Sequence, residues 1–201
     1  KYLNSPETDI FTKGETLFGY DLAVKSIART RTAIVCEGYT DVIALHAHGF
    51  DNAVATLGTA LTRKHADSLA RICDRVVLLF DGDAAGLKAT RRAAETFFAA
   101  PVDIAICTLP NGMDPDDLLR GENGSDVFQE AINSAPDALT SMLNGFREEL
   151  DNAQGITART RIVEQTIDKI GSLGINDISV IRRGQIIEAI SSIVGIDQRE
   201  L

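Results

Sequence analysis

The sequence predicts an α/β fold in which a mainly parallel, four-stranded sheet is flanked by helices and followed by a small helical bundle. Two observations predict it. Short apolar runs rich in valine and isoleucine alternate with segments of helical periodicity up to about residue 124, and only helical periodicity remains from residue 125 onward. Strands covered by helices on both faces are apolar throughout, and their alternation with helices indicates right-handed βαβ crossovers.

The predicted elements follow in chain order. Residues 1–31 form a polar leading segment that ends in a helical pattern over Asp21–Arg29. The α/β part is predicted from strand Thr32–Cys36, helix Asp41–His48, strand Asn52–Leu57, helix Arg63–Cys73, strand Val76–Phe80, helix Ala84–Ala99 and strand Val102–Thr108. The bundle is predicted from three- and four-residue apolar spacing near Asp126–Ala131, Pro136–Leu150, Ala158–Ile170 and Ile178–Val194. We therefore divide the chain into residues 1–31, 32–124 and 125–201.

The composition is typical of a soluble globular protein, with 44% hydrophobic and 24% charged residues. A net charge of −9 argues against a bulk electrostatic grip on duplex DNA. No apolar run approaches the roughly 20 residues of a membrane helix, and the cysteines, Cys36, Cys73 and Cys107, lack the spacing of a zinc site or disulfide framework. We expect a cytoplasmic protein without membrane contact. Because the chain begins at Lys1, we expect it to be an excised part of a longer protein.

Acidic residues follow three of the predicted strands, where each apolar run ends. They lie in Glu37–Asp41, in Asp81–Asp83 and, after a short turn, in Asp114–Asp116. The carboxyl ends of neighbouring parallel strands meet at one edge of a sheet, so these carboxylates are expected to gather there. Carboxylates that close repel each other unless protons or hard cations lie between them, and Mg²⁺ prefers such oxygen ligands. The pattern predicts a metal site for phosphoryl or nucleotidyl chemistry.

Each acidic cluster also has a purely structural interpretation. Asp83 suits the N-cap of the following helix, Asp41 suits a first helical turn, and a lone Glu37 is ordinary at a strand end. Asp81, directly after a buried strand, favours a functional role. The spacing of Asp114–Asp116 alone favours a helix start, with a capping aspartate followed by proline.

Other polar residues carry weaker signals. The turn Gly58–Ala60 either presents backbone N–H groups to a phosphate or only connects a strand to a helix capped by Thr62. His46, His48 and His65 show no metal-ligand spacing and are interpreted as surface or packing residues. Only 5% of the residues are aromatic, so no base-stacking platform is evident.

The acidic motifs resemble a known domain. Glu37-Gly38 near Asp41, followed by Phe80–Asp83 and Ala85-Gly86, resembles the Toprim domain of primases, topoisomerases, recombination proteins and some nucleases. A closer resemblance, to bacterial DnaG-type DNA primase, is carried by Lys1–Thr8, Phe11–Gly14, Glu37–Val42, Ala53–Ala60, Leu109-Pro110 and Asp114–Asp116. The helical remainder resembles the bundle that closes the primase polymerase domain.

This resemblance implies a DNA-templated RNA polymerase that makes short RNA primers by Mg²⁺-dependent nucleotidyl transfer, with Mn²⁺ as a possible substitute. The implied catalytic residues and central metal ligands are Glu37, Asp81 and Asp83, with Glu37 either a ligand or an aid to deprotonation. The implied additional metal ligands are Asp114 and Asp116. The residues implied to contact nucleotide or template are Lys1, Asn4, Lys13 and Asp41.

The resemblance also implies binding partners, and the sequence differs from the family pattern at two positions. Single-stranded DNA and ribonucleoside triphosphates are the expected ligands, in the bacterial replisome at the nucleoid. Zinc and the replicative helicase are expected only through N-terminal and C-terminal domains that these residues do not include, so we expect the chain alone to be inactive or weakly active. Thr40 stands where methionine is common, and Leu87 stands where arginine is common, so no phosphate contact is expected from position 87.

Two other functions stay open. A Toprim nuclease or topoisomerase subunit would use the same acids to cleave DNA, although Lys1–Thr8 argues against it. A non-catalytic module could instead sense nucleotides at the metal site.

Overall fold

The computed structural model of the protein describes residues 6–80, 84–197 and 199, with the side chains of residues 84–87 and 111 left out. The chain divides into two compact units between residues 137 and 138. The strands of the first unit are β1 (Thr32–Cys36), β2 (Ala53–Ala55), β3 (Arg75–Leu79) and β4 (Asp103–Cys107). Its helices are α1 (Tyr20–Thr30), α2 (Tyr39–Ala47), α3 (Arg63–Ala70), α4 (Ala84–Phe97), α5 (Pro115–Leu119) and α6 (Gly124–Ser134), with a 3₁₀ turn at Pro110–Gly112.

The four strands form one parallel sheet in the order β2-β1-β3-β4. Cys36 at the end of β1 pairs with Ala55 of β2 and with Leu79 of β3, and Leu79 pairs with Cys107 of β4. All four strands therefore end at the same level, which we call the carboxyl edge. This architecture confirms the predicted α/β fold, and the helices between the strands are the crossovers that a parallel sheet requires.

A buried core joins the sheet to helices on its flank. Almost every residue of β1 and β3 is buried, as expected for strands covered on both faces. Side chains that share one buried cluster include Ile34, Leu45, Val77, Leu79, Leu118, Phe128 and Ile132. This cluster spans β1 and β3 together with α2, α5 and α6, so the helices that follow the acidic segments are fixed directly to the sheet.

Helix α6 belongs to the core of the first unit. Phe128 is fully buried, and its ring meets that of Phe50 edge-on at a centroid distance of 4.6 Å. The guanidinium of Arg75 donates hydrogen bonds of 3.1 and 3.2 Å to the carbonyls of Ile132 and Ala135 at the end of the helix. The structural division thus falls after residue 137, whereas the sequence prediction began the helical subdomain at residue 125.

The second unit is built from helices α7 (Ala138–Asn152), α8 (Ile156–Ser172) and α9 (Val180–Val194), with a 3₁₀ turn at Ile175–Asp177. Helix α7 packs against both α8 and α9. The buried side chains of this unit are Phe146, Leu150, Ile170, Ile186 and Ile190. No helix in residues 6–80 or 84–197 combines the length and apolar character needed to cross a bilayer.

Replacing Phe128 with alanine tests the place of α6 in this core. We expect Phe128→Ala to lower the free energy of unfolding by about 3–5 kcal/mol, because it leaves a cavity against Phe50. The control is Val127→Ala on the exposed side of the same helix, with an expected loss under about 1 kcal/mol. Urea unfolding followed by circular dichroism measures both, and equal losses would contradict the packing of α6 on the sheet.

Candidate functional site

Three acid-bearing segments begin at the carboxyl edge of the sheet. Glu37 directly follows β1 and is exposed. Phe80 directly follows β3, the strand that pairs with β1, and precedes Asp81 in the sequence. Asp114 follows β4 after the 3₁₀ turn. Neighbouring strands lie about 4.8 Å apart, so the segments after β1 and β3 start side by side and the one after β4 starts one strand further on.

The first segment is fixed by a short capping contact. Gly38 is the N-cap of α2, and its backbone N–H donates to Oδ2 of Asp41 at 3.2 Å. Burial, and to a lesser extent the negative charge of Asp41, raises the pKa of the Cys36 thiol. The Asp41 carboxylate therefore lies close to the end of β1, in the first-turn position that the sequence predicted for it.

The third segment starts a helix. Asp114 is the N-cap of α5, and its Oδ1 accepts a 2.7 Å hydrogen bond from the backbone N–H of Asp117. Asp116 pairs with Arg120, one turn on, with an Nη2–Oδ2 distance of 2.6 Å. The helix start predicted from spacing is thus present. Because α5 packs against α2, it also brings this segment beside the helix that carries Asp41.

Several predicted site residues lie outside the described part of the chain: Lys1, Asn4, Asp81 and Asp83. Among the residues that are described, no group of three or more histidine, cysteine, aspartate or glutamate side chains is arranged to hold a metal ion. That finding does not extend to Asp81 and Asp83, two of the predicted metal ligands. The donors predicted for the metal site are all carboxylates, and hard oxygen ligands of this kind suit Mg²⁺.

The leading segment reaches the carboxyl edge as well. Phe18 and Ala55, the last residue of β2, exchange backbone hydrogen bonds of 2.8 and 3.2 Å. The Phe18 ring also contacts the ring of Tyr39, the first residue of α2, at a centroid distance of 5.6 Å. Residues just before α1 therefore lie next to the segment that carries Glu37.

A second contact holds residues 13–15 on the N-terminus of α3, and we call it the α3 clip. The hydroxyl of Thr62 donates to the carbonyl of Gly14 at 2.5 Å, and Nε2 of His65 lies 3.1 Å from the carbonyl oxygen of Lys13. The ammonium of Lys64 forms an ion pair with Glu15. The clip fixes the backbone at Lys13, a residue predicted to meet nucleotide or template.

His65 makes a contact that the sequence does not reveal. The sequence predicts a surface or packing histidine, and the structure shows a packing one, because the residue is fully buried and both ring nitrogens are used. Nδ1 accepts from the backbone N–H of Thr62 at 3.2 Å, which leaves the proton on Nε2 for donation to Lys13. The signal in the sequence was the spacing Thr62-x-x-His65, a capping-box spacing in which histidine replaces the usual glutamate.

The sequence of the chain is similar to those of known proteins. Residues 34–119 match the family described as Toprim-like. The DNA primase of Clostridium acetobutylicum is 38% identical over 172 residues, which cover 85% of this chain. The chain is homologous to DNA primases. It spans 28% of the length of that relative, and 22% and 26% of the DNA primases of Rickettsia felis and Synechococcus elongatus.

Solved primase structures share the fold. The zinc-binding and RNA polymerase domains of the Aquifex aeolicus primase are 32% identical, with a TM-score of 0.78 over 99% of this chain and 46% of that one. The DnaG primase catalytic domain bound to single-stranded DNA is also 32% identical, with a TM-score of 0.83 over 100% of this chain and 63% of that one. These matches favour a primase over the nuclease and nucleotide-sensing alternatives.

The burial of His65 makes stability depend on pH. Burial lowers the pKa of the imidazole, opposed in part by its contacts with the backbone of Lys13 and Thr16. In the unfolded chain the ordinary value of 6.5 applies. As the pH falls below that value the unfolded chain takes up a proton that the folded chain does not, so the free energy of unfolding falls.

We therefore expect wild type to lose more stability than His65→Gln between about pH 7.5 and about pH 5.5, because glutamine does not titrate. Urea unfolding at both pH values measures the difference. Equal losses in the two proteins would mean that His65 binds its proton equally well folded and unfolded.

Proposed function

We propose that this chain is the metal-binding part of a primase catalytic core. In the full-length protein it would take part in joining ribonucleotides into short RNA primers on a DNA template. The observation that carries the proposal is the shared end point of β1 and β3, which starts Glu37 beside the segment leading to Asp81 and Asp83. This juxtaposition falls inside the residues that match the Toprim-like family, which supports a common metal site.

The proposed roles follow the chemistry of each side chain. Glu37, Asp81 and Asp83 would hold Mg²⁺ as the central acids, and Asp114 and Asp116 would complete its ligands. Mn²⁺, another hard cation, could take the same place. When bound, such an ion neutralises developing charge and polarises phosphoryl oxygens. Glu37 is exposed at the end of a buried strand, so it is positioned to be either a ligand or a proton acceptor.

The proposed ligands are a single-stranded DNA template and ribonucleoside triphosphates. The template is supported by the related catalytic domain whose structure contains single-stranded DNA. Lys13 would meet a phosphate as a point charge, with Lys1, Asn4 and Asp41 contacting nucleotide or template. Because the net charge of the chain is −9, binding of these polyanions has to rely on bound cations and a few well-placed basic groups.

The remaining proposals concern the whole protein. We place it in the bacterial cytoplasm, at the replisome. Zinc would be bound in a further N-terminal domain, and the replicative helicase would be contacted through a further C-terminal domain.

The double variant Asp81→Ala/Asp83→Ala tests the function. In the full-length protein we expect ribonucleotide incorporation on a single-stranded template to fall by a factor on the order of 100 or more, because the metal no longer balances charge. Mg²⁺ binding measured by calorimetry should weaken in parallel.

The matched control is Asp126→Ala/Glu130→Ala on the exposed face of α6, which removes the same charge away from the carboxyl edge. It should behave as wild type. Metal affinity that is equal in wild type and in the Asp81/Asp83 variant would remove the metal assignment. Cleavage of labelled DNA without incorporation would replace the primase by a Toprim nuclease.

Substitutions at Asp114 separate its capping role from its proposed metal role. Serine is also a favoured N-cap, so Asp114→Ser should retain stability while Asp114→Ala loses about 1 kcal/mol in urea unfolding. Both variants lack the carboxylate, so both should bind Mg²⁺ more weakly and make fewer primers. If Asp114→Ser binds Mg²⁺ as wild type does, Asp114 serves only as a cap.

A further inference from the structure

The backbone of Lys13 is held on both sides by side chains of other residues. Its N–H donates to the Glu7 carboxylate at 2.9 Å, and its carbonyl accepts from Nε2 of His65 at 3.1 Å. The next carbonyl, that of Gly14, accepts from Thr62. With both neighbouring peptide groups fixed, the direction in which the Lys13 side chain leaves the backbone is fixed too.

The second feature that matters is the ammonium group of Lys13. None of the ion pairs found within the described ranges uses its ammonium group. The neighbouring cation in the clip, Lys64, is instead paired with Glu15. Lys13 is half-buried, and a lysine can pack its stem on the protein while it extends its ammonium group to an anion.

The clip lies on the same edge of the sheet as the acidic segments. Helix α3 follows β2, and a helix that follows a parallel strand begins at the carboxyl end of that strand. Five residues after Lys13, Phe18 bonds to Ala55 at that end of β2. The ring of Phe18 then contacts Tyr39, two residues after Glu37. These contacts run continuously from Lys13 to the first acidic segment.

We propose that His65 is a positioning residue, which holds the Lys13 backbone through its Nε2–H bond so that the ammonium meets a phosphate of the substrate. The phosphate belongs either to a ribonucleoside triphosphate or to the template strand. The inference rests on the proposed function, because it takes Lys13 as a phosphate contact. Pre-positioning matters because the leading segment would otherwise lose backbone freedom on each binding event.

Two substitutions of His65 separate its two hydrogen bonds. Asparagine places an oxygen near the position of Nδ1, so His65→Asn keeps the acceptor for Thr62 and loses the bond to Lys13. Glutamine places an N–H near the position of Nε2, so His65→Gln keeps the donor to Lys13. If His65 mattered only for packing, the effects of the two variants would not depend on which hydrogen bond each one retains.

We expect His65→Asn to reproduce the effect of Lys13→Ala in the full-length protein. The KM for ribonucleotide, or the Kd for single-stranded DNA, should rise roughly tenfold with little change in kcat, as for loss of a charged hydrogen bond. His65→Gln should stay near wild type. The double variant Lys13→Ala/His65→Asn should lose no more than Lys13→Ala, since both changes remove one contact.

The two sources of phosphate give different results. If the contact is to the template, Lys13→Ala and His65→Asn reduce the slope of log Kd for single-stranded DNA against log salt by about 0.7. If it is to the triphosphate, that slope stays unchanged and binding of a fluorescent ribonucleotide weakens. Lys25→Ala on the exposed face of α1 controls for loss of one positive charge elsewhere, and circular dichroism confirms that each variant is folded.

The clip and the primase proposal can fail separately. If wild type binds DNA or nucleotide but makes no primers, the function is wrong, and the binding ratios still decide the role of His65. The positioning role is overturned if folded His65→Asn binds both ligands as wild type does. It is also overturned if the effects of Lys13→Ala and His65→Asn add, or if wild type binds neither ligand.

Discussion

The parallel register of the sheet is the constraint on which the candidate site depends. Ile34, Val77 and Ala105 pair side by side across β1, β3 and β4, and all three are buried in one core. A slip of one residue in any strand would turn its buried side chains over, at the cost of that core. Because the core fixes the register, it also fixes the level at which each strand ends and the place where Glu37 begins its turn.

The acids proposed to meet at the carboxyl edge would repel one another, and local contacts offset their charge. Asp41 accepts from the N–H of Gly38, Asp114 caps α5, and Asp116 pairs with Arg120. Each contact sets an N–H group or a guanidinium against a carboxylate, which offsets part of the repulsion. A carboxylate has more acceptor sites than one hydrogen bond uses. The same side chains can therefore serve the helix starts and still offer oxygen to a metal, which is why capping and ligation are not exclusive at Asp114.

The sequence predicts the helices and strands better than it predicts which of them pack together. Strand Thr32–Cys36 has the predicted bounds, because an apolar run between polar residues marks a buried strand at both ends. The predicted strand Asn52–Leu57 pairs only to Ala55, because the chain then turns through Gly58, which has a φ of 73°. Periodicity also predicts helix α6. It does not predict that α6 packs on the sheet, because an apolar helix face can pack against any apolar surface. The positions of the acids along the chain predict a shared site, whereas a contact between distant segments, such as that of His65 with Lys13, leaves no such pattern in the sequence.

His65 shows what such contacts add. A buried imidazole is costly unless both nitrogens have partners, and an apolar side chain would fill the same space without that requirement. A helix cap needs only the contact to Thr62, three residues away. The second contact reaches Lys13, 52 residues earlier in the chain, and ties the leading segment to the helix that starts at the carboxyl edge. The buried ring thus connects the segment that carries Lys13 to the N-terminus of α3, and the Lys13 backbone cannot shift without straining this hydrogen bond.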